Sequence, residues 1–535
     1  MKKIISILIA VSAVIALLSS CSEKPSDTST ETADTVTGSD TAENVTTDDV
    51  TEPETEPETE PETEPEFNVV NDPDATLTVP RTFGSHMVLQ RDSVINVFGY
   101  SNRDGAVVRG TLGDSTAFST VVDGKFELHF KPRPASSDPV TLLIEDDRGN
   151  SVSFDDVLIG DVWLIGGQSN AQVEISFIRA GLSSVPEFDE NDPVRLLMQS
   201  SDYYVAHKNE AKEPLFDFGD PACKWKRQDQ AAATSFSALG LFFAHSLSEK
   251  LGVPVGAICV AANGAQIQDL MPGELAKSFK LRTSYGAGVA HIFNGMMNPL
   301  IGLSFKGMVF FQGESEALAE PVANKYSKYL RAYIEDLRKR TGVMFPLCNI
   351  QLSSYGDHDS MTFKFIHNVR NQQFDAYRLI PDSILVTSYD LRSPDKYGDQ
   401  MHSPRKQELG VRVCDAVLAA FYGEGDTETA LCPEPVSAKL SDDGSTVTVK
   451  FKNVAGGLTA TGEDGSVKGF SIGSKAKKVN AEAKIVSADT VTVKIPDGVK
   501  ATFIAYGNYL VIKDGLVSLC GGTGLPALAF CISVE

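Results

Sequence analysis

From Val157 to Ile165 the chain is mostly apolar and rich in β-branched side chains, interrupted only by Gly160 and Asp161. Such a run predicts a strand entering a buried sheet. Gly166 and Gly167 end it. Their freedom to turn sharply exposes Ser169 at the carboxyl end of the strand, where open α/β sheets bind ligands. Ser169, flanked by Gln168 and Asn170, is a candidate nucleophile; the competing reading is a polar turn leading into a helix.

The residues on either side say what kind of sheet this strand enters. From Val157 to about Gly423, strands alternate with helices. Ser235 to Leu251 has helical spacing of Phe236, Leu239, Phe243 and Leu247, and a second helix is expected from about Val322 to Arg340. Pro254–Ala261, Phe305–Phe311, Phe345–Leu352 and Ile384–Thr387 read as strands. This alternation predicts βαβ units, hence an α/β, doubly wound parallel sheet with helices on both faces. From Thr76 to about Phe154 the pattern is all-β: short strands such as Val94–Phe98 and Phe126–Phe130 are separated by turns such as Val122-Asp123-Gly124. That predicts a small N-terminal sandwich. From Pro435 the pattern is all-β again, with Thr446–Phe451 and Thr490–Val493 alternating and Asp442-Asp443-Gly444 as a turn. The expected sheet is thus flanked by N-terminal and C-terminal all-β domains. The expected boundaries are a leader over 1–21, a linker over 22–66, a β domain over 67–156, the α/β layer over 157–428 and a second β domain over 429–535.

The leader begins with Lys2 and Lys3, and its apolar stretch Ile4–Leu18 is short for a bilayer span. It reads as a secretory segment, and Leu18-Ser19-Ser20-Cys21 resembles a bacterial lipobox in which Cys21 is lipidated. Membrane attachment on the outer face of a cell is then expected through that lipid alone. Ser22–Glu66 is built from Ser, Thr, Asp, Glu and Pro and ends in Thr-Glu-Pro-Glu repeats. It has almost nothing to bury and reads as an extended spacer. It holds 16 acids and one lysine, so −15 of the formal net charge of −23 resides there. The remainder is only mildly acidic, which argues against a nucleic-acid partner. Beyond Cys21, seven cysteines are scattered without a CxxC pair. They read as buried free thiols rather than as a metal site. A Cys520–Cys531 bridge is the alternative, and it is not the expected one.

Four short motifs fall after predicted strands: Ser169, then Asn263-Gly264, then Gln312-Gly313-Glu314-Ser315, then Asp399-Gln400-Met401-His402. A doubly wound sheet gathers such positions along one edge. A serine hydroxyl needs a base to take its proton. His402 suits that role because imidazole titrates near neutral pH. Asp399, three residues earlier, would orient the ring; Glu314 is the second choice of acid, its other reading being a helix N-cap. The oxyanion of an acyl-transfer intermediate needs neutral donors. The candidates are the backbone N–H groups of Ser169 and Gly264 and the side-chain amide of Gln312, with Asn263 as a supporting residue.

Gly160-Asp161-Val162-Trp163, Gly167-Gln168-Ser169-Asn170, Phe311-Gln312-Gly313-Glu314-Ser315 and His402-Ser403-Pro404-Arg405-Lys406-Gln407-Glu408-Leu409-Gly410 resemble the sialate O-acetylesterase family of SGNH-type hydrolases. Met87-Val88-Leu89-Gln90-Arg91, Gly252-Val253-Pro254-Val255-Gly256, Asn294-Gly295-Met296-Met297-Asn298-Pro299-Leu300 and Gly524-Leu525-Pro526-Ala527 extend the likeness from about Thr76 to the C-terminus. The resemblance implies a carbohydrate esterase without metal or other cofactor, acting on acetylated sialic acids or on polysaccharides such as acetylated xylan. It implies Ser169 as nucleophile, His402 as base, and Gly264 and Gln312 in the oxyanion hole. The chain departs from the family pattern in having Phe310-Phe311 before Gln312, Asn263-Gly264-Ala265 with Leu270 in the middle block, and Ser403 after His402. Two rival readings stay open: the Gly-x-Ser-x-Gly elbow of α/β-hydrolases, which Gly167–Ala171 nearly fits, and a glycan-binding lipoprotein without activity.

Overall fold

The chain divides into Met1–Glu64 and Pro65–Glu535. The computed structural model describes residues 65–182, 184–200, 211–281, 290–354, 363–393, 401–460, 466–512 and 515–535. Cys21, nearly all of the acidic linker and Asp399 lie outside the described residues.

Among the described residues, eight strands precede the first helix: β1 (Leu77–Thr78), β2 (Val88–Gln90), β3 (Ile95–Ser101), β4 (Val107–Leu112), β5 (Ser115–Thr120), β6 (Lys125–Phe130), β7 (Ser136–Asp146) and β8 (Ser151–Gly167). β1, β3 and β6 form one antiparallel sheet, and β5, β4, β7 and β8 line up in another. β8 then does two jobs. Ser151–Asp156 alternates between exposed and half-buried positions and pairs antiparallel with β7. Val157–Gly167 is buried throughout and carries the parallel sheet. The sequence shows the change directly: Ser-Val-Ser-Phe alternates, as a strand with one wet face must, and Val-Leu-Ile-Gly-Asp-Val-Trp-Leu-Ile does not. The expected boundary between residues 156 and 157 therefore falls inside one strand. The two layers share a single hydrophobic core running from Phe83 to Leu418.

The parallel sheet continues with β9 (Val194–Met198), β10 (Lys226–Arg227), β11 (Val255–Ala261), β12 (Gly307–Phe311), β13 (Leu347–Gln351) and β14 (Ser383–Thr387). Its order is β10-β9-β11-β8-β12-β13-β14, parallel except at β10. The expected strands at 254–261, 305–311, 345–352 and 384–387 are all present. The β9–β10 pair is an addition the sequence reading missed. Val194-Arg195-Leu196-Leu197-Met198 puts an arginine in the strand, and the structure buries Arg195 with its guanidinium 3.5 Å from Asp156.

The helices that bear on the site are α1 (Ser169–Gln172), α2 (Ala238–Leu251), α3 (Tyr326–Thr341), α4 (Ile366–Tyr377) and α5 (Lys406–Val417). α2 leads back to β11 on one side of β8, whereas α3 and α4 link β12, β13 and β14 on the other. Crossovers of one hand taken in opposite directions cover opposite faces. In keeping with this, α2 packs on α5, and α3 packs on α4. The place where the chain changes direction lies beside the carboxyl end of β8. The C-terminal region forms a five-stranded antiparallel sheet that includes Thr446–Lys452 and Thr490–Lys494, a four-stranded one that includes Phe503–Tyr506 and Phe530–Ser533, and a short pair. Its core holds Phe451, Phe470, Tyr506 and Phe530 and takes in Phe374 of α4 and Leu385 of β14. All seven described cysteines are free thiols, Cys520 and Cys531 included.

Candidate active site

Strand register gathers the motifs. Gly167 pairs with Ala261 of β11 on one side and with Phe311 of β12 on the other. The turns after three neighbouring strands therefore start at the same level. Gly167 has φ +136°, and a Cβ there would lie 2.1 Å from the Phe311 carbonyl oxygen. Only glycine fits this turn. Ser169 then opens α1, a single turn, and is 5% exposed.

Side chains stitch the three turns together. Gln168 Oε1 accepts from the backbone N–H of Gly313 at 3.2 Å and of Ser315 at 3.3 Å. Ser315 Oγ donates to the Gly264 carbonyl at 2.9 Å. The Ala262 N–H donates to the Gly167 carbonyl at 3.3 Å. Ser169 and Gly264 thus stand on adjacent, tied turns. Asn263 is exposed at the rim beside them.

Gln312 requires a correction. Its amide nitrogen donates to Glu316 Oε2 at 2.5 Å, to the Ala265 carbonyl at 3.1 Å and to Gln168 Oε1 at 3.3 Å. Its Oε1 accepts from the Tyr326 hydroxyl at 2.7 Å, and the residue is fully buried. Both amide protons are committed beneath the turn, so the side chain does not serve as an oxyanion donor. The acceptor that draws it inward is Glu316, which also accepts from the Ile267 N–H at 2.6 Å. Burial pushes the Glu316 carboxyl up to about 7 despite these donors.

Glu314 follows on the same turn. It occupies the N-cap position of Ser315–Leu318 but makes no cap bond, so the N-cap reading does not describe it. Asn170 Nδ2 donates to its Oε1 at 2.7 Å. Burial pushes the Glu314 carboxyl up, while the Asn170 bond and the nearby Lys406 and His402 pull it down. The same Asn170 nitrogen lies 3.3 Å from the Met401 carbonyl, which brings the His402 backbone against the residue after Ser169. The His402 ring meets the half-exposed Phe177 ring edge-to-face, with centroids 5.6 Å apart. Among the described residues, the Ser169 hydroxyl and the His402 ring make no hydrogen bond to each other. Resting hydrolase sites commonly form that bond only with the ester in place. Asp399 lies outside the described residues.

The sequence reading missed Lys406 and the bridging role of Asn170. Both stand inside motifs that were singled out, but only the fold places them together, with Lys406 Nζ 2.7 Å from Asn170 Oδ1. Among the described residues no group of three or more His, Cys, Asp or Glu side chains is arranged to hold a metal ion.

Residues 159–419 match the family described as carbohydrate esterase, sialic acid-specific acetylesterase. This part of the chain is similar to that family. The match begins in the buried half of β8 and ends just past α5, so it covers the α/β layer. The sialate O-acetylesterase of Mus musculus is 23% identical over 402 residues, which is 64% of this chain and 72% of that protein. The sialate O-acetylesterase of Pongo abelii is 25% identical over 295 residues, 50% of this chain and 55% of that one. The chain thus spans about half the length of the Pongo abelii relative. XAC1771 of Xanthomonas citri, described as a novel carbohydrate acetylesterase, superposes with a TM-score of 0.70 at 24% identity, covering 85% of this chain and 99% of that one. That likeness is one of fold, and it extends over both β regions.

Proposed function

We propose that the chain is a carboxylic ester hydrolase that removes acetyl groups from sialic acids or other acetylated glycans, with Ser169 as nucleophile. The observation that carries this reading is the junction at Asn170: the residue after Ser169 is bonded to the backbone just before His402, on the edge where the β8, β11 and β12 turns are tied together.

In the proposed reaction, the Ser169 oxygen attacks the acetyl carbonyl carbon as His402 takes the hydroxyl proton. The negative charge that gathers on the carbonyl oxygen is met by the backbone N–H groups of Ser169 and Gly264. The tetrahedral adduct collapses, the bond to the sugar oxygen breaks, and His402 returns the proton to that oxygen. Water then attacks the acetyl-serine by the same path and releases acetate. Asp399 is the proposed acid that stabilises the imidazolium, and Glu314 is the second candidate, being buried within electrostatic reach of His402.

Acetate release from O-acetyl sialic acid, acetyl-xylan and an aryl acetate, measured side by side, tests the activity and ranks the substrates. Ser169→Ala is expected to lower turnover by at least about 1,000-fold. Turnover at the wild-type rate in that variant would remove the mechanism. Asp399→Asn is expected to cost about 1,000-fold or more in kcat. A large loss in Glu314→Gln with little in Asp399→Asn would transfer the acid role to Glu314.

A further inference from the structure

The bond-making steps proposed above make no use of Lys406, yet it is almost completely buried beside the site. Lys406 is 2% exposed, Asn170 1% and Glu314 1%. An ammonium and a carboxylate buried near one another ordinarily pair directly. Here the Asn170 amide joins them. Lys406 Nζ donates to Asn170 Oδ1 at 2.7 Å, and Asn170 Nδ2 donates to Glu314 Oε1 at 2.7 Å and faces the Met401 carbonyl at 3.3 Å. The Lys406 ammonium also lies 5.1 Å from the centre of the Phe311 ring, at the end of β12.

The donor and acceptor inventory gives this arrangement a direction. An amide can present its oxygen or its nitrogen on either side. Lysine only donates, whereas a carboxylate and a backbone carbonyl only accept. With Lys406 on one side and Glu314 and Met401 on the other, a single orientation of Asn170 satisfies every contact. Without the ammonium, the buried amide oxygen loses this donor and the amide is held only from its nitrogen side, by Glu314 and Met401.

We propose that Lys406 is a positioning residue of the esterase site: it fixes the orientation of the Asn170 amide, and through it the spacing between the Ser169 backbone N–H and the Met401–His402 backbone. The proposal rests on the esterase reading. It assigns Lys406 no contact with substrate. Misplacing the base or an oxyanion donor by about an ångström costs on the order of 100-fold in rate while leaving ground-state binding largely intact.

The test compares kcat and KM for an aryl acetate in wild type, Lys406→Met, Asn170→Asp and the double variant, with Ser169→Ala as the zero. Lys406→Met keeps the aliphatic stem and removes the donor; Asn170→Asp keeps an acceptor for Lys406 and removes the donor to Glu314 and Met401. Each single variant is expected to lose about 100-fold in kcat with KM within about threefold, and the double variant to be no worse than the poorer single. A folded Lys406→Met with wild-type kcat overturns the proposal. Should Lys406→Met not fold, Asn170→Asp decides: wild-type kcat there overturns it equally. Fully additive losses in the double variant also overturn it, since they would mean that the two residues act separately. If wild type turns over and the variants match it, only this proposal falls. If wild type hydrolyses no ester at all, the esterase reading falls and takes this one with it.

Discussion

At Glu316 the bonds that hold the site together have a measurable cost. The carboxyl is fully buried and is raised to about 7 in the folded chain, against about 4.5 when exposed. A carboxyl raised on folding binds more protons in the native state than in the unfolded one, so stability falls as pH rises across that interval. The penalty is absent below about 4.5 and complete by about 7, where it amounts to about 3 kcal/mol. Urea unfolding of wild type and Glu316→Gln at pH 5 and pH 8 checks this. The difference between the two proteins should move in favour of the variant by up to about 3 kcal/mol between those pH values. A difference independent of pH would mean that Glu316 ionises normally. Ser169 and Gly264 could be picked out from sequence because glycines and strand ends announce a turn. The direction of the Gln312 amide could not, because it is set by Glu316 and Tyr326, which are neighbours only in the folded chain.

β8 determines most of what lies around it. Asp161, the one charge in its buried stretch Val157–Gly167, is 1% exposed and sits where the antiparallel half gives way to the parallel half. Arg91 holds both of its oxygens, at 3.0 and 2.9 Å, Gln90 donates at 3.1 Å, and the Tyr422 hydroxyl donates at 2.9 Å. Trp163 Nε1 donates to that same tyrosine oxygen at 3.1 Å. The Gly-Asp-Val-Trp motif is therefore a joint between the N-terminal strands, the sheet and the π-helical turn Leu418–Tyr422 that follows α5, well away from Ser169 along the strand. Asp161→Ala leaves Arg91 facing a buried gap and is expected to cost about 3–5 kcal/mol in urea unfolding. Gly167→Ala is expected to prevent folding of the site outright, because the added carbon meets backbone at 2.1 Å; a soluble variant with wild-type turnover would contradict the strand-end geometry.

Across the molecule, the C-terminal β region is bonded to the α/β layer like a continuation of it. Gln351 Nε2 donates to the Ala529 carbonyl at 2.8 Å, and its Oε1 accepts from the Ala529 N–H at 2.9 Å. Arg370, fully buried, donates to the Tyr509 carbonyl at 2.8 Å, and the Ile512 N–H donates to Ser354 Oγ at 2.7 Å. Phe374 and Leu385 of the α/β layer pack into the C-terminal core. A chain ending at Pro433 would strand these groups, each at about 1–3 kcal/mol, and would expose the two apolar side chains. It is expected to be insoluble or to unfold at markedly lower urea than the full chain. Unchanged unfolding would show the β region to be an independent passenger. Removing Ser22–Glu66 should leave kinetics in solution unaltered, since that segment has nothing to bury.

The order of strands and helices, the two β regions and the serine at a strand end follow from local pattern: alternation, apolar runs and glycine pairs act within a few residues of themselves. The β9–β10 insertion, the shared strand β8, the inward Gln312 and the Lys406–Asn170–Glu314 chain were decided by the tertiary structure. Each depends on a polar group finding its partner across the fold, and between residues as far apart as 170 and 406 that pairing leaves no periodicity in the sequence to read.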